Sequence, residues 1–351
     1  MYQPQFTISN KILKNISLIE AAKEVINNAP LIPVWEAEFR KEATARIVHY
    51  GTHLEGNQLS FNQAKKVIEG EKVLARDRDI QEVINYRNVL KYLDKLDKKS
   101  KKEFIYKQSL LKIIHQLVTA RVLDEGQVGK YRKSKVVIKE AKTNKIIFSP
   151  PPALEVTFQL DDFFSWLNSK NGKEIHSVLR AGISHFELVR IHPFTDGNGR
   201  ATRAFATLIL FIEGYDIKKL FSLEEHFDKN ALGYYKALQS VEESHGDLTA
   251  WLEYFTRCLS VELEQIKEIV KKISLDDKLK DKLGRQIALS ERQIKLVEYL
   301  KNNEKLIMRE AKKITPKVSE DTILRDLKNL MKKKIIRKKG KTKAAYYILA
   351  N

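Results

Sequence analysis

The chain has 351 residues, too many for one ordinary hydrophobic core, so two or three domains are expected. Its 43% hydrophobic and 31% charged residues, with few Gly and Pro and a mean hydropathy of -0.39, exclude a chain dominated by disorder and lean toward helix. The net charge of +19 is uneven: residues 281–351 hold 20 Lys and Arg against 8 Asp and Glu, which makes +12 of it and points to a separate basic module.

From Lys11 to about Lys99 the apolar spacing is helical, broken at "NAPLIP" near Pro30 and Pro33. In "LEGNQLSFNQAKKVIEGE" a helix is expected to end at Glu55, with Gly56 and Asn57 tolerating positive φ and Ser60 capping the next helix. A further helix is expected around 102–122. "SKVVIKEAKTNKIIFSPPP" then reads as a β-hairpin, with strands Val136–Ile138 and Ile146–Phe148, a polar turn through Lys142 to Asn144 and a proline stop. Helical periodicity resumes at Leu154 and runs to about Lys280. The N-terminus lacks the apolar core of a signal peptide, and the longest apolar run, "FATLILFI" at 205–212, is too short to span a bilayer. The lone Cys258 has no partner for an internal disulfide and is expected as a small apolar residue. A cytoplasmic protein with no membrane partner is the expectation.

The main interruption of the helical pattern is "RIHPFTDGNGRATR", positions 190–203. Gly197 and Gly199 flank Asn198 just before an apolar helical run, so the backbone can turn sharply and present N–H groups at a helix N-terminus, an anion cradle. Arg200 and Arg203 fall on one face of that helix, where two guanidinium forks can hold the oxygens of a polyphosphate. Asp196 offers one hard oxygen ligand, the usual number when Mg²⁺ is held mainly by substrate phosphates and water. His192 titrates near neutral pH and can accept a proton from an incoming hydroxyl, while Ile191 and Phe194 would anchor the loop. Each feature alone is ordinary; together within a dozen residues they describe a site that moves part of a nucleotide onto a hydroxyl.

This stretch resembles the Fic family signature at every defined position from His192 to Arg203. "GKYRKSKVVI" (129–138) resembles the start of that family's flap hairpin, "SPPPALEV" its end, and "SHFELVRIHPF" the helix leading into the loop, so that the resemblance covers about residues 40–260. It implies a protein adenylyltransferase that moves AMP from Mg-ATP to a Ser, Thr or Tyr hydroxyl of a protein docked on the flap. His192 would be the base, Asp196 the Mg²⁺ ligand, Gly197, Asn198 and Gly199 the phosphate cradle, and Arg203 the partner of the γ phosphate with Arg200 also on the phosphates. Tyr234 and Tyr235 in "GYYKAL" match a tyrosine pair on the family's adenine side. "GTHLEGN" (51–57) resembles its inhibitory helix, which sets Glu55 against Arg203; Gly51 departs from the expected hydroxyl residue, and Thr52 is the nearest substitute. The same glutamate is open to a second role, orienting water to remove AMP.

In the basic tail, Ser290-Glu-Arg-Gln293 has the form of a capping box opening a helix. A shorter helix is expected near Ile307–Ile314 and a third after Ser319, with Ile323, Leu324, Leu327, Leu330 and Met331 on one face; two strands follow around Gly340. Three helices and a basic hairpin resemble a winged helix-turn-helix, with Lys332, Lys333, Lys334, Arg337, Lys338, Lys339, Lys341 and Lys343 available to DNA phosphates. The expected architecture is mostly α: an N-terminal helical region over 1–100 with the inhibitory helix near 44–57, a helical Fic core over 101–280 with a β-hairpin flap at 134–149, and a small C-terminal winged-helix domain over 285–351. Left open are a DNA-binding regulator whose core only senses nucleotide, transfer of another nucleotide or phosphate group, and assembly into a homo-oligomer.

Overall fold

The computed structural model describes residues 2–29, 33–99, 104–139, 146–215, 217–273, 289–303, 305–316, 318–340 and 345–350. The chain divides into two compact units, Met1–Ser274 and Leu275–Asn351. The fold is mostly α, with one small hairpin in each unit.

In the first unit, α1 (Asn10–Asn28) starts on the N-cap Ser9 and lies along α12 (Thr249–Ile273). Ser9 donates to Glu253 at 2.7 Å and Asn15 to Thr256 at 3.1 Å, tying the start of the chain to its far helix. Next come α2 (Pro33–His53), α3 (Phe61–Glu69) and α4 (Asp77–Lys99). The link from α2 to α3 departs from the expected one. Helix α2 stops at His53, and only Gly56 takes positive φ (92°). Asn57 is buried, its side-chain amide donating to Asp79 O and Glu82 Oε2 at 3.0 Å each while its carbonyl oxygen accepts from the N–H of Leu59. Ser60 caps α3 in a full capping box with Gln63.

The helix expected over 102–122 is α5 (Gln108–Thr119), shorter at both ends. Tyr106 is drawn out of helical pairing because its N–H donates to Asn168 Oδ1 at 2.8 Å, and Arg121 takes a left-handed φ of 59°. The hairpin strands β1 (Ile138–Lys139) and β2 (Ile146–Phe148) pair antiparallel, Ile138 opposite Phe148. The turn expected at Lys142 to Asn144 lies outside the described residues. Then follow α6 (Val156–Asn168), α7 (Lys170–Glu174), α8 (Ser177–Ile191), α9 (Asn198–Leu210), α10 (Leu223–Lys229), α11 (Ala231–Glu243) and α12. Helices α8 and α9 form the centre. Nearly every residue of α9 is buried, polar ones included, which marks it as an interior helix. Cys258 is buried and its thiol pKa is pushed up by burial to about 12, as befits an apolar filler.

The second unit packs α13 (Glu291–Asn302), α14 (Met308–Ile314) and α15 (Glu320–Lys332) around Leu296, Leu300, Ile323, Leu327 and Leu330. Ser290 with Gln293 makes the capping box of α13, and Ser319 caps α15. Strands β3 (Ile336–Lys339) and β4 (Tyr346–Leu349) pair antiparallel from Ile336 opposite Leu349 to Lys339 opposite Tyr346, and Leu306 bridges to Tyr347 on the other side. Arg292 meets the buried Asp326 at 2.8 Å, fixing α13 against α15. No helix among the described residues is long and apolar enough to cross a membrane.

Candidate functional site

The loop between α8 and α9 is shaped from inside. Ile191 and Phe194 are fully buried, and each such side chain contributes roughly 1.5–3 kcal/mol to holding its place. Asn198 folds back on the loop, its Oδ1 accepting from the N–H of Phe194 at 2.9 Å and its Nδ2 donating to Phe194 O at 2.8 Å. Gly197 has φ 78°, and a Cβ there would press on Thr119 of α5 at 2.7 Å, so conformation and space both require glycine. His115, also on α5, stacks on Phe194 with ring centroids 3.7 Å apart. Its Nδ1 accepts from the N–H of Gly129 and its Nε2 therefore donates to Asp196 O, both at 2.9 Å. Burial lowers its pKa to about 4, so the ring stays neutral and the tautomer is fixed. The sequence reading missed His115; a lone histidine on an apolar helix face carries no signal of this role.

His192 closes α8 in the left-handed region, φ 49°. Its Nδ1 lies 3.3 Å from Val189 O, which makes Nδ1 the protonated nitrogen and leaves Nε2 with a free lone pair. Burial holds its pKa below the usual 6.5, against the opposing pull of the Val189 carbonyl and Glu55.

A cleft of about 840 Å³ opens beside this ring. His192, Gly199, Arg203, Glu55, Tyr234 and Tyr235 line it, with Phe148, Ser149 and Pro151 from the hairpin side. Arg203 Nη2 meets Glu55 Oε1 and Gly51 O at 2.8 Å each. Burial opposes its charge most strongly, but Glu55, Tyr86 and Tyr234 together outweigh burial and the guanidinium pKa is raised. The Glu55 carboxylate lies so close to Gly199 that a Cβ there would collide with it. It sits at the mouth of α9, where the helix N-terminus favours an anion. Nε of Arg203 and Nε of Arg200 are buried with no hydrogen-bond partner.

The departure at position 51 has a packing reason. A Cβ on Gly51 would lie 2.5 Å from the Tyr86 ring, so α2 and α4 cross where only glycine fits. The main-chain carbonyl of Gly51 supplies the contact to Arg203, whereas Thr52 bonds back to Val48 O and His49 O within α2 and does not substitute.

The two arginines of the motif reach different carboxylates. Arg200 does not line the cleft; it faces Glu82 at 3.1 Å and Asp196 at 3.7 Å. Asp196 is partly exposed, accepts from the N–H of Gly197, and meets Arg78 of α4 at 3.0 Å. Glu82, nearly buried, joins Arg78, Arg200 and Asn57, and so links the Glu55 loop to the Arg200 side. Among the described residues no three His, Cys, Asp or Glu side chains cluster as a metal site. Asp196 alone fits a divalent cation that arrives on substrate phosphates and does not fit a resident ion. Of the tyrosines, Tyr234 is buried and its hydroxyl meets His185 Nε2 at 2.9 Å, while Tyr235 is exposed at the cleft wall. His185 is kept neutral by burial, with its pKa lowered to about 3.

A model of the Fic/DOC family matches residues 105–210. The chain is 29% identical over 221 residues to a protein adenylyltransferase Fic of Aedes aegypti, covering 62% of this chain and 40% of that one. It is 28% identical over 228 residues to a protein of the same name from Nematostella vectensis, covering 62% and 47%. It therefore spans less than half the length of these relatives. Among solved structures, a Fic family protein from Desulfovibrio desulfuricans G20 has the same fold, with a TM-score of 0.70 at 23% identity over 99% of this chain and 98% of that one. A fragment of Fic-1 from Caenorhabditis elegans, residues 134–508, gives 0.61 at 24% identity over 74% of each chain.

Proposed function

We propose that this chain, a Fic/DOC family protein through residues 105–210, transfers AMP from ATP to a Ser, Thr or Tyr hydroxyl of a protein and rests in a state held back by Glu55. The observation that carries the reading is the Glu55–Arg203 pair, 2.8 Å long and pressed against Gly199 in the cleft that also holds His192 Nε2. A carboxylate there occupies the guanidinium and the helix mouth that a polyphosphate would use. When it withdraws, Arg203 and the N–H groups at the start of α9 are freed for phosphate oxygens. The acceptor oxygen attacks the α phosphorus, His192 Nε2 takes its proton, and pyrophosphate leaves. Because His192 is held neutral, it is ready as a base at physiological pH. Mg²⁺, brought by the nucleotide and held by Asp196, would shield the phosphate charge; Arg78 and Arg200 neutralise that carboxylate in its absence. Tyr234 and Tyr235, which line the cleft, would meet the nucleotide base, and the hairpin edge would offer main-chain groups to an extended acceptor segment.

Incubation with Mg-ATP followed by mass spectrometry tests the reading. A gain of one AMP on the protein or a partner, absent in His192→Ala and increased in Glu55→Gly, is the expected result. No nucleotide adduct with any variant refutes it.

For the second unit we propose duplex DNA binding. Arg325, Lys328, Asn329 and Lys332 form the outward face of α15, and Arg337, Lys338 and Lys339 are exposed on both faces of β3. Lys333 is half-buried; Lys341 and Lys343 lie outside the described residues. Binding to a random duplex that weakens steeply with salt supports this reading, and no binding at low salt ends it.

A further inference from the structure

Arg132 is 4% exposed, yet among the described residues it has no carboxylate partner. Every hydrogen bond of its side chain goes to a main-chain carbonyl. Nε donates to His192 O at 2.8 Å, Nη1 to Ser134 O at 3.2 Å, and Nη2 to Pro151 O at 2.5 Å and to Ile191 O at 3.3 Å. Its own N–H donates to Pro193 O at 2.9 Å. Three of these acceptors, Ile191, His192 and Pro193, are consecutive residues where α8 passes into the loop that carries the imidazole. The other two, Ser134 and Pro151, stand at the two feet of the hairpin.

The chemistry of a helix end explains why an arginine is needed. Helix α8 stops at Ile191, so its last carbonyls have no intrahelical donor, and the C-terminus carries partial negative charge. A planar guanidinium with donors on several edges satisfies two of these carbonyls and the hairpin feet together; an ammonium has neither the reach nor the fixed geometry. The loop needs such support, because a left-handed non-glycine residue costs about 1 kcal/mol or more and persists only where its surroundings over-determine it.

We propose that Arg132 is a positioning residue for the transfer reaction: it clamps the left-handed turn at His192 to both feet of the hairpin, so the imidazole and the surface that receives the acceptor are held in one register. Arg132 touches neither nucleotide nor acceptor in this assignment and works through main chain alone. The inference rests on the reading of His192 as the base.

The test uses the full chain carrying Glu55→Gly, with two readouts: the rate of self-labelling from α-labelled Mg-ATP, and the dissociation constant of a fluorescent ATP analogue. Adding Arg132→Met is expected to slow labelling about 100-fold, the cost of misplacing a reacting group by about 1 Å, with the analogue's affinity changed less than about threefold. Arg132→Lys, which keeps the charge at the helix end but spans fewer carbonyls, is expected to fall between Met and the parent. Labelling by either variant as fast as the parent overturns the inference. So does a loss of analogue binding in both variants parallel to the loss of rate, since Arg132 would then only build the fold. His192→Ala run alongside separates the failures. If it labels like the parent, the base reading itself falls; if it is inactive while the Arg132 variants are unaffected, only the clamp falls.

Discussion

The two units use cationic side chains in opposite ways. Residues 1–274 hold 42 Lys and Arg against 35 Asp and Glu, and three arginines among them are buried and individually paired: Arg203 with Glu55, Arg200 with Glu82, Arg132 with carbonyls. In the second unit the cations are in surplus and, among the described residues, mostly exposed; Arg337 and Lys338, which neighbour each other on β3 and so point to opposite faces, both meet solvent. The first arrangement makes a site in which one atom matters; the second makes a field in which charges act in sum. Reactivity that depends on a named side chain should therefore reside in the first unit, and salt-sensitive association in the second.

The sharpest break of this contrast is His192→Ala, expected to lower AMP transfer by about 10²–10⁴-fold in a labelling assay, the usual worth of a positioned base. Next in size, raising salt from 50 to 200 mM should weaken duplex binding by roughly two to three orders of magnitude if about five exposed cations meet phosphates, as a fluorescence anisotropy titration would read. Transfer should respond far less, because the guanidinium that it depends on, Arg203, is buried. Glu55→Gly should raise labelling about tenfold, equivalent to removing about 1.4 kcal/mol of competition for Arg203; an unchanged rate removes the brake. Lys338→Ala should reduce the salt slope of duplex binding by about 1 while sparing transfer. The smallest effect is that of pH. His192 must be neutral to act, and its pKa lies below 6.5, so the rate should stay level from pH 8 to 6.5 and decline only below that. A decline centred above 6.5 contradicts the assigned base.

How much was legible follows from the same contrast. The run from His192 to Arg203 was readable because its parts are neighbours in sequence, and the capped helices at Ser60, Ser290 and Ser319 because caps are local. The linking residues were not. Arg132, His115, Glu82 and Tyr86 each have a partner far along the chain, 60 positions away for Arg132 and His192 and 138 for Tyr86 and Glu224, and nothing in their flanking residues records it. The pairing of Arg200 with Glu82, and so its separation from Arg203, was hidden for that reason. Helical spacing puts both on one flank of α9, but only the packing of α2 and α4 sends them to different carboxylates.

The close crossing at Gly51 makes positions 51 and 86 interdependent. A serine or threonine placed at 51 would meet the Tyr86 ring before it could reach Arg203. Alone it should strain the crossing by about 1–3 kcal/mol, and only a smaller residue at 86 would make room for it. Any attempt to retune the Gly51 and Glu55 contacts to Arg203 from this side has to exchange residues 51 and 86 as one unit.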